Sequence, residues 1–219
     1  VTALCNLFGG ILHSNEEKDA LIEQADLSFF HTLIEIIEAK DPYTAGHSLK
    51  VSMYAETLAR SLGLPDEEVE AVKKAGILHD IGKLGIPDYI LNKKGKPSSD
   101  EYEYIKRHAS LGAKILGNVR NMEKIIPYIL HHHEWYDGGG YPSGLRGEEI
   151  PLGARILAVA DAYDAMSAER SYRKAMGYDE SRRRLREGSG IQFDPRLVDK
   201  FLKATAINRN GNKKEPALL

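Results

Sequence analysis

Apolar residues along this chain recur at mixed three- and four-residue steps, the spacing that lines one face of an α-helix. Near the start, Leu21, Ile22, Ala25, Phe29, Leu33, Ile36 and Ile37 form one such stripe, and Leu27, Phe30 and Ile34 widen it. The pattern predicts a helix over 20–38 with an apolar face broader than a surface helix needs. Such a face packs on an upstream domain or joins two copies of the chain. Residues 45–62 repeat the pattern through Leu49, Val51, Met53, Ala55, Leu58 and Leu62, with Gly63 as the stop. A helix over 67–80 follows, capped by Asp66, with Val69, Val72, Ile77 and Leu78 inward and Glu67, Glu68 and Glu70 near its positive end. Ser98 and Glu101 have capping-box spacing and open a helix that runs toward His108. Helices over 109–117, 122–134 and 152–167 come next, and Asp194-Pro195 starts a last one to about 203. No alternating run of branched residues interrupts this series. The expected fold is all-α, a helical bundle with an N-terminal helical arm.

Composition narrows the setting more than the fold. The 219 residues suffice for one domain with an added arm. The expected division is a linker and helical arm over 1–30, continuing from an upstream domain, a main domain over 31–204, and a disordered tail over 205–219. The lone Cys5 excludes an internal disulfide framework and a cysteine-rich zinc site. No run approaches the roughly 20 apolar residues of a membrane-spanning helix. A formal net charge of -2 argues against polymeric nucleic acid as partner. The expected location is cytoplasmic. Residues 138–147, dense in glycine around Pro142, predict a shaped loop.

Candidate chemistry concentrates in His47, His79, Asp80, His108, His132, His133 and Asp161. Most have apolar neighbours inside or at the edge of a predicted helix. His79-Asp80 lies where a buried helix ends, and Asp161 sits within the interior-looking stretch Ile156 to Ala162. A buried carboxylate is costly unless paired, hydrogen-bonded or bound to a metal. Convergence of these imidazoles and carboxylates on cations would meet that cost. Taken singly, a histidine on an apolar face is more often a satisfied core residue than a ligand, and Asp161 could brace a neighbouring helix through an arginine. Co-occurrence is what argues for a site; His13, His31 and His131 stand outside it.

The pair His79-Asp80 resembles the signature of the HD metal-dependent phosphohydrolases. The longer segments narrow the likeness: His79 to Pro87, then His132-His133-Glu134, then Asp137 to Pro142 with Gly144-Leu145. With Asp41 to Thr44 before His47-Ser48, and Arg155 to Ala165 around Asp161, they closely resemble the HD-GYP family of cyclic di-GMP phosphodiesterases. The likeness runs from about Thr32 to Leu202. It implies an HD-type helical domain in which His47, His79, Asp80, His108, His132, His133 and Asp161 are metal ligands and Asp80 bridges two ions. Imidazole mixed with carboxylate favours iron or manganese, because magnesium prefers oxygen and structural zinc is tetrahedral. Two transition-metal ions would clamp the phosphoryl oxygens and activate water. Lys83, a catalytic and substrate-binding residue in this reading, would neutralise charge on the phosphoryl group. Some family members add a third ion through a Glu four residues before the first histidine. Tyr43 occupies that position here, which implies a binuclear site. Glu134 is expected to give structural support.

The resemblance also implies the substrate side. Gly140 and Tyr141 of the loop, with Arg170 and Arg173 beyond the Asp161 helix, are expected to contact the dinucleotide, while Arg182, Arg183, Arg184 and Arg186 form a solvated helix face. The expected reaction opens cyclic di-GMP to linear pGpG and continues to GMP as a further step. The alternatives are a sensor or interaction module that keeps the pocket without turnover, and a phosphohydrolase of another cyclic dinucleotide. Expected partners are the dinucleotide, an upstream sensory or receiver domain, and a second chain joined through the N-terminal helix.

Overall fold

A computed structural model describes Ser28, Phe30 and residues 32–41, 46–167 and 176–206. The chain divides into two compact units, 1–36 and 37–219. In the first, the described residues are helical, and Thr32 Oγ1 donates a hydrogen bond to the Ser28 carbonyl (2.9 Å). Helical backbone covers 32–40 (α1), overlapping the end of the segment 20–38 that the apolar stripe marks and running two residues past it; residues 20–27, 29 and 31 of that segment lie outside the described ones.

The second unit continues with α2 (His47–Ser61), α3 (Asp66–Leu78), a 3-10 turn (Ile81–Gly85), α4 (Asp88–Leu91), α5 (Ser99–Lys106), α6 (His108–Leu116) and α7 (Ile126–Leu130). A short 3-10 turn (Gly147–Glu149) precedes α8 (Leu152–Ser167), α9 (Tyr178–Glu187) and α10 (Pro195–Ala204). Among the described residues there is no strand, only one isolated bridge between Ser189 and Phe193. The fold is all-α, as the apolar spacing predicts. No helix among these residues is long and apolar enough to cross a membrane.

The core forms where α2 packs against α3 and α8, with α10 across α2. Val51, Ala55 and Leu58 of α2 meet Val69, Val72 and Leu78 of α3 and Ile156, Leu157 and Val159 of α8, all buried. Tyr54, Tyr163 and Phe201 close the α2–α8–α10 junction edge to face, with centroids 5.0 Å apart for Tyr54–Tyr163 and for Tyr163–Phe201. Such pairs contribute about 0.5–1.5 kcal/mol each beyond burial. Leu49, expected inward, is 46% exposed, because it lies about 200° around the helix from Val51.

Helix ends follow the sequence in most places. Gly63 stops α2 at φ 73°, Ser98 and Glu101 form a capping box on α5, and Asp194 accepts from the Arg196 N–H at 2.9 Å. Two ends differ. Pro65, not Asp66, holds the α3 N-cap, and the Asp66 carboxylate accepts from Arg60 instead (3.2 Å). The helix expected over 122–134 shrinks to Ile126–Leu130. Pro127 sits in its first turn, and the Ile129 carbonyl near its end accepts from the His132 ring. Arg182 is not a solvated residue either: it donates to the Leu202 carbonyl at 2.6 Å and ties α9 to the end of α10.

Candidate metal centre

Helix termini position most of the candidate histidines. Each of His79, His108 and His132 turns its Nδ1–H onto the carbonyl three residues earlier, at Gly76 (2.8 Å), Ile105 (2.8 Å) and Ile129 (2.6 Å). Those carbonyls lie in the last turns of α3, α5 and α7, where backbone oxygens lack helical partners. A carbonyl only accepts, so the proton sits on Nδ1 and each Nε2 is directed inward. The sequence pattern thus places the ring and fixes its tautomer with one hydrogen bond.

His47 opens α2 and is held differently. Asp161 and Asp164 stand three residues apart on α8, so they share a face, and both meet this ring. Nδ1 lies 2.7 Å from Asp164 Oδ2 and Nε2 lies 3.2 Å from Asp161 Oδ1. Burial opposes a charge on the imidazole, but the two carboxylate hydrogen bonds outweigh it and raise the pKa from 6.5 to about 9. The Asp161 side chain, 21% exposed, is the accessible carboxylate of the pair; Asp164 is buried.

Asp80 follows α3 at the start of the 3-10 turn and stands between two histidine groups. Its Oδ2 faces His79 Nε2 at 3.4 Å and His47 Nε2 at 4.0 Å, while Oδ1 faces His108 Nε2 at 3.8 Å. Burial resists ionisation, yet the Lys83 charge foremost holds this carboxyl well below the usual carboxylate range. Lys83 Nζ lies 2.8 Å from Asp80 Oδ2 and 2.8 Å from Asp41 Oδ2, so its charge is engaged by two carboxylates. Gly82 makes the approach of α6 possible. A Cβ there would lie 1.8 Å from the His108 carbonyl oxygen and 2.5 Å from Gly112 N.

Two groups of donor atoms result, His47 with His79 and Asp80, and His108 with His132 and His133; within each, the atoms lie within 4.8 Å of one another. The second group tests whether a cation fits. His108 and His132 have both committed their Nδ1 protons, and their Nε2 atoms face one another at 3.4 Å. Burial lowers the pKa of both rings, so protonation does not resolve the contact. Burial and the nearby His108 push His133 down to about 3. Neutral imidazoles with facing lone pairs suit a shared divalent cation.

The glycine loop leans on this cluster. Tyr141 stacks on His133, with centroids 4.9 Å apart and planes 30° apart, and its N–H donates to the His133 carbonyl (3.1 Å). Gly140 packs against the chain itself: a Cβ would lie 2.2 Å from Trp135 N and 2.5 Å from the His133 carbonyl oxygen. Glu134 is buried; its Oε1 accepts from the Ser143 N–H at 2.6 Å, while its buried Oε2 has no hydrogen-bond partner among the described residues. His131 meets Glu134 at 3.4 Å and joins neither donor group. Beyond Tyr141 opens a pocket of about 340 Å³ lined by Glu103, Lys106, Arg107, Ser110, Tyr141 and Pro142. Tyr43, Arg170 and Arg173 lie outside the described residues.

A family model described as the HD domain matches residues 31–197. The chain belongs to the HD-domain family, in its HD-GYP branch. A cyclic di-GMP phosphodiesterase of Pseudomonas aeruginosa is 43% identical over 180 residues, covering 81% of this chain and 43% of that protein. A 3'3'-cGAMP-specific phosphodiesterase of Vibrio cholerae is 40% identical over 170 residues, covering 78% of this chain and 37% of that protein. This chain therefore spans less than half the length of either relative. The solved structure of a cyclic GMP-AMP specific phosphodiesterase of V. cholerae shares the fold, with a TM-score of 0.63 at 20% identity over 80% of this chain and 48% of that one.

Several residues around the candidate centre and its neighbouring pocket escaped sequence reasoning. Asp164 orients His47 and Asp41 pairs with Lys83, yet neither carboxylate carries a spacing signal of its own. Asp164 had one usable cue, its place three residues after Asp161 on one helix face. Glu103, Lys106 and Arg107 look like the wet side of an amphipathic helix, and nothing in the pattern separates them from any other polar face.

Proposed function

We propose that this chain hydrolyses a phosphodiester bond of cyclic di-GMP, opening the ring to pGpG, with the further cut to GMP as a slower step. The observation that carries the reading is the pair of donor groups flanking Asp80, one carboxylate oxygen toward each. His47, His79 and Asp161 with Asp80 would hold one transition-metal ion, and His108, His132 and His133 with Asp80 a second. Iron and manganese suit this mixture of imidazole and carboxylate. When bound, the ions supply Lewis-acid polarisation of the phosphoryl group and acidity to water.

The chain's own residues do the positioning. The helix-end carbonyls of Gly76, Ile105 and Ile129 hold three imidazoles in the ligating tautomer, and Asp164 does the same for His47. Lys83, held between Asp80 and Asp41, orients the Asp80 carboxylate; both carboxylates engage its charge, so its role here is positioning rather than direct contact with the phosphate. Tyr141 walls the cluster on the side of the pocket. The test is conversion of cyclic di-GMP by protein reconstituted with manganese or with reduced iron, followed by chromatography of pGpG and GMP. Folded, metal-loaded protein that leaves the ring intact would defeat the proposal. A ring with one adenine is the second reading, favoured by the 40% identity to a 3'3'-cGAMP-specific relative, and the same assay with that substrate decides it.

A further inference from the structure

We infer that the pocket beside Tyr141 seats a guanine base of the substrate and reads it through Glu103 and Arg107. This rests on the phosphodiesterase reading and extends it to base selection. The pocket shares a wall with the candidate metal centre, because Tyr141 stacks on His133 and Arg107 directly precedes His108. The pocket volume of about 340 Å³ lies within the range for small-ligand sites.

The lining chemistry selects the base. Guanine presents N1–H and N2–H as donors on one edge and O6 and N7 as acceptors on another. The Glu103 carboxylate matches the first edge and the Arg107 guanidinium the second, beside the wall that Tyr141 forms. Adenine is mismatched on both edges. Its N1 lone pair would face the carboxylate, and its N6 amine would face the cation. The polar groups are already held: Lys106 Nζ lies 2.5 Å from Glu103 Oε1 and 5.5 Å over the Tyr141 ring, and the Arg107 guanidinium lies 4.5 Å over Tyr104. Cations backed by aromatic rings lose little freedom when a ligand arrives.

Calorimetric titration of the manganese-loaded protein with GMP and with AMP isolates the base, since both carry the same phosphate. GMP should bind about tenfold tighter or more, the scale of charged hydrogen bonds. Glu103→Ala and Arg107→Ala should each close most of that gap while leaving AMP affinity nearly unchanged. Equal affinities in the unsubstituted protein, or a gap that survives both substitutions, overturn the guanine assignment. Turnover of cyclic di-GMP by the same preparation is scored separately. Selective GMP binding without turnover keeps the pocket and defeats the enzyme reading, whereas turnover without base selectivity does the reverse.

Discussion

Metal loading should release a proton from His47, so that cation affinity climbs with pH until about 9. Its ring lies between two acceptors, Asp164 Oδ2 at 2.7 Å and Asp161 Oδ1 at 3.2 Å. Carboxylates only accept, so the metal-free imidazole keeps both protons, and its pKa rises from 6.5 to about 9. A metal ligated through Nε2 needs that lone pair and must displace the proton. Each pH unit below 9 then weakens apparent affinity about tenfold, or about a hundredfold between pH 9 and pH 7. The metal-free fold should follow the opposite trend. Because the folded pKa lies above the unfolded value, the stabilisation is complete below pH 6.5 and is lost as pH rises through 9. The displacement from 6.5 to about 9 corresponds to roughly 3 kcal/mol. Manganese competition against an indicator chelator at pH 7, 8 and 9 measures the first trend, and thermal unfolding of metal-free protein measures the second. Calorimetry at pH 7.5 in two buffers of different ionisation enthalpy counts the proton directly. Affinity that stays flat with pH, together with no proton release at pH 7.5, would refute the reasoning.

Asp80→Ala should remove metal and turnover together, with metal affinity down by more than about a hundredfold, the upper end for loss of even an outer-sphere partner; elemental analysis and product chromatography on folded protein check both, and normal values would take Asp80 out of the site. Gly82→Ala should push α6 off the 3-10 turn, because the new Cβ would meet the His108 carbonyl oxygen and Gly112 N, both backbone. A loss of about 3 kcal/mol, seen as a Tm lower by roughly 6–12 °C, is expected; a Tm within a degree of the parent would mean that the turn and α6 separate freely. Asp194→Ala strips the α10 cap and leaves the Arg155 guanidinium, now 2.7 Å from that carboxylate, without its buried partner. Urea unfolding should show a loss of about 3–5 kcal/mol at unchanged m, and a shift under 1 kcal/mol would place the pair among weak surface bridges.

Legibility tracked how local each cause was. The capping box at Ser98 and Glu101, the stop at Gly63 and the Asp194-Pro195 start depend on neighbours within a few residues, and all three stand in the structure as their spacing predicts. The exposure of Leu49 was readable from its place about 200° around α2 from the buried Val51, which a count of apolar residues along the chain overlooks. Long-range pairings were invisible. Lys83 meets Asp41 across 42 positions, and His47 meets Asp164 across 117. The seven candidate ligands could be named only as a set, because a buried His or Asp states a need for a partner without saying which.

The misjudged length of α7 shows how fold and site depend on the same atoms. Apolar spacing runs without a break from Met122 through Leu130, and helix propensity has no reason to stop before Glu134. What stops it is His132, whose ring takes the Ile129 carbonyl at 2.6 Å. The same device closes α3 at His79 and the end of α5 before His108. In all three places an imidazole donates to a carbonyl in the last turn of a helix, and in doing so turns its free nitrogen inward. The sequence pattern therefore overestimates the helix where the candidate centre begins. Replacing any of these histidines by Ala would remove a donor and a helix terminator together. Its effects on metal affinity and on stability of the metal-free protein should therefore be coupled, whereas His133→Ala, whose ring among the described residues meets those of His108, His132 and Tyr141 and caps no helix carbonyl, should act mainly on the metal.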